Sequence, residues 1–311
     1  MSGDRKAQRR VVALAGGIGG ARLLDGLAAV LPEGSLAAVV NTGDDFEHLG
    51  LSISPDLDTV MYTLAGLADP VRGWGLVDET FHAMDSVARF GGDSWFALGD
   101  RDLGTHLVRT AALRAGERLT EITSRLCHRL GVHTPVLPMS DRPRRTIIET
   151  VEHGAMPFQD WLVRTRAQHA ARAVRYEGTT EPTPEVLEAL EAADLVVICP
   201  SNPYVSVDPI LGLDGVRALV AGKPVVALSP IVHGKTVKGP LAAMLRDLEG
   251  LEPSAEAIVR HYGGLVRGLV VEEGDEAGVS CATLATRTVM GGRDDRARLA
   301  RELLDFAERL G

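Results

Sequence analysis

A glycine cluster and two acidic pairs are the residues whose types and spacing most plainly suggest chemistry. Gly16-Gly17-Ile18-Gly19-Gly20 opens the stretch GGIGGARLL. Glycines at that density let a backbone approach an anion, and a helix beginning there offers unpaired N–H groups and the positive end of its dipole. Gly16, Gly17, Gly19 and Gly20 are therefore candidate phosphate contacts, with a ligand-free tight turn as the competing reading. The pattern is neither the GxGxxG of dinucleotide enzymes nor a P-loop. Arg22, just inside the expected helix, either strengthens anion binding or is an ordinary surface arginine.

The acidic residues are Asp44-Asp45 and, a little further on, Asp56 and Asp58 in Pro55-Asp56-Leu57-Asp58-Thr59. Carboxylates near a phosphate site suggest Mg²⁺, a hard ion that prefers oxygen ligands and bridges to substrate phosphates. One of them would alternatively accept a proton from an attacking hydroxyl, and Asp56 or Asp58 would equally serve as the N-cap of a helix over 59–67. Three further groups follow. Gly99-Asp100-Arg101-Asp102 is a charged turn, in which Arg101 either meets a ligand or pairs internally. Ser201-Asn202-Pro203 suits a base or a phosphate, and His233-Gly234-Lys235 supplies a cation. His82, His106, His128 and His153 share no ligand-like spacing and read as core or surface. There is no GxSxG elbow and no CxxC pair among Cys127, Cys199 and Cys281, which argues against a hydrolase nucleophile, a cysteine zinc site and a disulfide framework.

The elements that must position these residues are six short apolar runs: Val11–Ala15, Leu36–Val40, His133–Leu137, Leu195–Cys199, Pro224–Leu228 and Val266–Val271. Each has strand length and does not alternate, as expected for strands buried on both faces. Helical patterns lie between them, at Ala21–Leu31, Thr120–Leu130 and Pro184–Ala193. The expected fold is thus α/β: a Rossmann-like parallel sheet of about six strands with helices on both faces. Small and polar residues collect after five of the six runs, at the strand ends where open α/β sheets bind ligands. We expect a single domain over residues 1–311, with a mostly helical insertion at about 56–118 and a smaller excursion at about 150–182. The segment Asp294–Leu310 reads as a charged amphipathic helix that packs.

The 311 residues carry a formal charge of −9, which disfavours a general nucleic-acid binder. No apolar run reaches the roughly 18 residues that span a bilayer, and no secretory leader pattern stands at the start, so a cytoplasmic protein is expected. Only 4 of the 33 basic residues are lysine.

Taken in order, Gly16–Leu24, Val39–Asp45, Ser54–Thr59, Leu98–Asp102, Leu137–Asp141, Pro200–Pro203 and Ser229–Ile231 resemble the 2-phospho-L-lactate transferase family of coenzyme F420 biosynthesis. Asp69-Pro70, Arg72-Gly73-Trp74-Gly75 and Asp78-Glu79-Thr80 are similar to its actinobacterial, phosphoenolpyruvate-using branch. The resemblance implies a Mg²⁺-dependent transfer of a phospholactyl or phosphoenolpyruvyl group. The donor is a guanosine diphosphate derivative, the acceptor is the deazaflavin FO, and the products are GMP and F420-0 or its dehydro form. It also implies a homodimer. By motif, Asp58 and Arg101 become FO contacts, with Trp95 as their aromatic companion. The glycine loop, Ser201, Asn202 and Lys235 become donor contacts, and Asp45 and Asp58 the metal ligands and catalytic groups. Asp58 as a base is the lesser alternative, because an ordinary aspartate is a weak one. Phe46 follows the acidic pair where the family often has another aromatic, which leaves the stacking partner of the deazaflavin open. Two other functions compete: a non-catalytic protein of the same fold that binds nucleotide sugars, and an NAD-dependent dehydrogenase, which lacks its fingerprint.

Overall fold

The computed structural model describes residues 9–310, and the basic start of the chain lies outside them as far as residue 8. Seven strands form one sheet, and every pairing in it is parallel. Numbered along the chain they are β1 (Val11–Ala15), β2 (Leu36–Val40), β3 (Val136–Pro138), β4 (Leu195–Ile198), β5 (Val225–Leu228), β6 (Gly268–Val271) and β7 (Ala282–Ala285). Their order across the sheet is β3-β2-β1-β4-β5-β6-β7. That is the doubly wound dinucleotide-binding order with one strand added at the far edge.

The added strand is one beyond the six apolar runs and falls within the expectation of about six. Its sequence, Ala-Thr-Leu-Ala, is short, weakly apolar and partly exposed, as an edge strand can be. The third run also shifts, from His133–Leu137 to Val136–Pro138. Pairing begins there because Pro135 has only a carbonyl to give, and that carbonyl accepts the N–H of Ala38 at 2.9 Å.

The helices are α1 (Gly17–Val30), α2 (Pro55–Leu64), α3 (His82–Arg89), α4 (Asp102–Arg114), α5 (Leu119–Arg129), α6 (Pro184–Ala192), α7 (Asp208–Leu211), α8 (Val216–Ala221), α9 (Leu241–Glu249), α10 (Ala255–Tyr262) and α11 (Arg293–Arg309). Alternate residues of β1 serve opposite cores. Val11, Ala13 and Ala15 pack with Leu23, Leu24 and Leu27 of α1, Leu57 and Met61 of α2, and Leu303 and Phe306 of α11. Val12 and Leu14 pack with Leu190 of α6, Val216 of α8 and Ile258 of α10. Continuous apolar strands are the sequence mark of a sheet covered on both faces.

Two excursions leave this frame. Between β2 and β3 a hairpin of Phe46–His48 and Leu51–Ile53 precedes α2 to α5, so the stretch expected to be mostly helical is helices joined by long loops. Between β3 and β4 the second excursion begins earlier than about 150. Arg144–Thr150, Gly154–Pro157 and Ala171–Gly178 make a three-stranded antiparallel sheet. No helix among the described residues is long and apolar enough to cross a membrane.

Candidate active site

In this strand order the direction of winding reverses between β1 and β4, and ligands bind at the carboxyl ends of strands at such a switch point. Gly16 follows β1, and Pro200-Ser201-Asn202 follows β4 closely. The Ser201 hydroxyl joins the two ends: Oγ accepts the Gly16 N–H at 3.0 Å and donates to the Gly16 carbonyl at 2.8 Å. The turn has no room for side chains. A Cβ on Gly16 would lie 2.5 Å from Asp56 Oδ2, on Gly19 2.7 Å from the Pro200 carbonyl, and on Gly20 2.6 Å from Ser201 Oγ. Gly17 has open space but a φ of +64°, which L-residues rarely adopt. Its N–H is already engaged, donating to Asp56 Oδ1 at 2.7 Å.

Above this junction lies a cavity of about 640 Å³. Gly16, Gly17, Gly19, Ser201 and Asn202 line one side, and Asp44, Asp56 and Asp58 line its floor. Asp44 and Asp56 share one donor, the Asn41 amide nitrogen, at 3.1 and 2.9 Å. Burial, and after it the charge of Asp56, pushes the Asp44 carboxyl well above the usual range. Burial likewise pushes Asp56 up to about 6, against the hydrogen bonds from Asn41 and Gly17.

Asp58 sits at the start of α2, where Ser54 and Pro55 open the helix, but its carboxylate is no cap. It faces α4 and forms a two-pronged ion pair with Arg109, whose Nη1 lies 3.0 Å from Oδ2 and whose Nη2 meets Oδ1. Arg109 is wholly buried. His106 Nδ1 lies 3.3 Å from Arg109 Nη1, and His106 Nε2 lies 3.3 Å from Asp102 Oδ2. The Tyr62 hydroxyl donates to Asp102 Oδ1 at 2.6 Å. Burial first, then the charges of Asp58 and Asp102, raises the Tyr62 phenol far above its ordinary value. Asp102 is pushed up by burial, but its contact with His106 outweighs that and holds the carboxyl low.

No motif announces this layer: from sequence His106 reads as core or surface, and Arg109 and Tyr62 belong to no recognised pattern. A signal was present: Asp102, His106 and Arg109 recur at four and three residues, which puts them on one face of α4, while Asp58 and Tyr62 are four apart on α2.

Trp74, Trp95, Phe96 and Phe158 supply the apolar part of the cavity, and Arg72 and Lys238 its cations. Arg72 is clamped between the rings of Trp74 and Phe81, at 5.3 and 5.2 Å, and paired with Asp69 at 2.8 Å. Lys238 Nζ donates to the Arg72 carbonyl at 2.9 Å, tying the loop after β5 to the insertion across the mouth.

Among the residues singled out in the sequence, Asp58, Trp95, Gly16, Gly17, Gly19, Ser201 and Asn202 meet in this cavity. Gly20 packs behind it on Ser201. Arg101 does not line it: its guanidinium donates to the Val77 carbonyl at 3.0 Å and its backbone N–H to Glu79, the internal pairing that the charged turn left open. Lys235 is exposed on a two-residue strand, and the hairpin hands its place at the cavity to Lys238. Asp45 also stands outside the lining. Its Oδ2 accepts from the Ser54 hydroxyl at 2.8 Å, and its Oδ1 is sealed from water without a partner. Burial chiefly, with repulsion from Asp58, pushes its carboxyl up to about 7.

These carboxylates fit a hard divalent cation. An unpartnered buried oxygen on Asp45, and the mutual repulsion of Asp45 and Asp58 and of Asp44 and Asp56, are liabilities that such an ion relieves. The closest three-ligand grouping among the described residues is Asp58, Asp102 and His106, whose ligand atoms lie within 4.8 Å of one another. Its imidazole makes it a mixed nitrogen and oxygen set, less suited to Mg²⁺ than oxygen ligands alone.

The model of the family described as 2-phospho-L-lactate transferase CofD matches residues 11–289. The chain is 43% identical to a phosphoenolpyruvate transferase of Streptomyces griseus, over 96% of this chain and 98% of that protein. It is 41% identical to one of Mycobacterium marinum, with the same coverage of both. A crystallised UPF0052-family protein of Bacillus halodurans shares the fold with a TM-score of 0.64, over 96% of this chain and 99% of that one, at 17% identity. The chain belongs to the 2-phospho-L-lactate transferase family and is a transferase of substituted phosphate groups.

Proposed function

We propose that the chain transfers a phosphoenolpyruvyl or phospholactyl group from a guanosine diphosphate-linked donor to the terminal ribityl hydroxyl of FO, releasing GMP and forming dehydro-F420-0 or F420-0. The observation that carries this reading is one cavity in which a glycine turn, a floor of carboxylates and a wall of tryptophan and phenylalanine face each other. Each part suits a different piece of the reactants. The turn and the N-terminus of α1 suit a diphosphate. Trp95, Phe96 and Phe158 suit a flat heteroaromatic ring. The names of the relatives point to phosphoenolpyruvate as the donor chemistry.

Displacement at phosphorus between anions needs positioning and charge neutralisation more than a protein nucleophile. Bound Mg²⁺ would supply the neutralisation: Asp58 offers it a carboxylate at the cavity and Asp45 an unpartnered oxygen outside the lining, and Asp58 would release part of its pairing with Arg109 to bind it. Ser201 and Asn202 hold the donor side beside Gly16, and Arg109 keeps the Asp58 carboxylate aimed from α2. Arg72 and Lys238 at the mouth neutralise an incoming anion and help exclude water. We further propose a homodimer working in the cytoplasm, in keeping with three unpaired cysteines.

The test is to mix FO, the guanosine diphosphate-linked donor and Mg²⁺ with the protein and to measure GMP. Stoichiometric GMP and a deazaflavin product are expected. No GMP, together with tight binding of a nucleotide sugar, would make the chain a binding protein instead. Sedimentation at micromolar concentration checks the dimer.

A further inference from the structure

Behind the cavity wall lies a partly buried charge cluster, with its imidazole inside and its carboxylates partly exposed, that takes no part in the chemistry above. The wall is the turn Asn202–Val207, which includes a single π-helical turn, Pro203–Val207. Asn202, Val205 and Ser206 line the cavity, and Ser206 packs so closely on Gly16 that a Cβ there would lie 2.7 Å from its own. Three side chains hold the backbone of the turn: Asn202 accepts the Tyr204 N–H at 3.0 Å, Asn41 donates to the Val205 carbonyl at 3.2 Å, and the Tyr176 hydroxyl donates to the Tyr204 carbonyl.

From behind it is held through Tyr204. The Tyr204 hydroxyl donates to Glu249 Oε1 at 2.6 Å, and its ring stands edge-on to His261, 4.5 Å away. His261 in turn bridges two acids: Nδ1 lies 3.0 Å from Glu249 Oε1 and Nε2 2.9 Å from Asp208 Oδ2, with only 9% of the side chain exposed. Asp208 directly follows the π-helical turn. Both ring nitrogens therefore face carboxylates, which only accept, and both contacts are hydrogen bonds only when both nitrogens carry a proton. The groups facing His261 are Asp208 of α7, Glu249 at the end of α9, Tyr204 of the turn and Tyr262 on its own helix. The neighbouring cations are committed elsewhere: Arg217 of α8 donates to the Tyr262 carbonyl, and Arg260 to Glu256.

We propose that His261 is a positioning residue whose protonation clamps this wall of the cavity. As imidazolium it ties α10 to Asp208 and Glu249, and so fixes Tyr204 and the turn against Gly16. When it loses a proton, one of the two carboxylates loses its imidazole donor and the wall loosens. The electrostatics support the charged form: burial pulls the imidazole pKa down, but Asp208 and then Glu249 outweigh burial and raise it. The sign follows. A raised histidine pKa contributes holding energy that is complete at low pH and is lost as pH rises through the folded-state value.

The wall is read without any ligand, by hydrogen–deuterium exchange of the whole protein across pH. The rates are divided by intrinsic exchange, and the ring of His261 is titrated by NMR in parallel. The amides of Ser206 and Val207, which donate to the Asn202 carbonyl at 3.0 and 3.4 Å, are the reporters. Their protection is expected to fall about tenfold as His261 titrates, a loss the size of one charge-assisted hydrogen bond. Glu249→Gln should lower the histidine pKa by about one unit and move the protection step with it. His261→Gln should abolish the step. Protection without a step, or a step that stays in place in Glu249→Gln, overturns the proposal, and Glu249→Gln decides the matter if His261→Gln does not fold.

In the transfer assay, KM for the donor should rise with pH while kcat stays level. That arm alone rests on the transfer reading. Exchange that steps in a protein without turnover would sink the transfer reading and keep the clamp. Turnover in a protein whose exchange does not step would do the reverse.

Discussion

Arg109 and Asp58 face each other inside the protein, with the guanidinium wholly sealed and both of its terminal nitrogens committed to the carboxylate. Asp58 therefore carries two duties, one toward the cavity and one toward the fold. Removing one member of a buried charge pair costs about 3–5 kcal/mol, because the other is left uncompensated. Asp58→Asn should lose turnover by orders of magnitude and also lose stability on that scale, as should Arg109→Ala. The pair Asp58→Leu with Arg109→Met should recover much of the stability in urea unfolding while turnover stays absent. Turnover that returned with stability would remove Asp58 from the chemistry.

Asp45 makes a different prediction. Its folded-state value of about 7 lies above the ordinary carboxylate value. The energetic cost of this group is absent below about pH 4, grows as pH rises, and is complete above 7. Without divalent ions, Asp45→Asn should be more stable than the parent at pH 8, on the order of 1–3 kcal/mol, by a smaller margin at pH 5, and nearly equal to it below about pH 4. Mg²⁺ should raise the melting temperature of the parent at pH 8 more than that of the variant. Equal Mg²⁺ increments would place the ion elsewhere.

Gly17 combines positive φ with open space in front of it. Gly17→Val should fold with a backbone penalty of about 1–2 kcal/mol and project a side chain toward the cavity. GDP affinity, measured by titration calorimetry, should drop at least about tenfold. Affinity equal to the parent's would rule out this turn as the cradle.

The cations separate into two pairs. Arg101→Ala and Lys235→Ala should leave the KM values for donor and FO within about twofold, since each side chain is bound or exposed away from the cavity. Arg72→Ala and Lys238→Ala should raise at least one KM about tenfold or more, through lost anion pairing and an opened mouth. A strong effect of Arg101→Ala would return it to the site.

What the sequence revealed, it revealed through the backbone. Strands buried on both faces are written as unbroken apolar runs, and the residues after them must lie at one edge of the sheet. Gly16, Ser201 and Asn202 could therefore be brought together without coordinates. His106 and Arg109 escaped because a histidine or arginine on a helix looks the same whether the face points out or in. Burial of that face of α4 is decided by its packing on the strand Leu51–Ile53, on α5 and on Asp58 and Tyr62 of α2, not by local sequence. The swap of Arg101 for Arg72 has the same origin: both sit in polar loops, and the side-chain direction is set by Trp74 and Phe81 on one and Glu79 on the other. The antiparallel sheet over 144–178 escaped because Arg144–Thr150 begins with two arginines and buries only every second residue.

The hydrogen bonds between Gly16 and Ser201 span 185 positions of the chain. An N-terminal portion ending before β4 would own the glycines and every carboxylate of the floor, yet lack the Ser201 hydroxyl that grips Gly16. Ligand recognition is thus deferred until the second half of the polypeptide has been synthesised and docked beside the first. Closing so long a loop makes this junction one of the slower steps toward the native state.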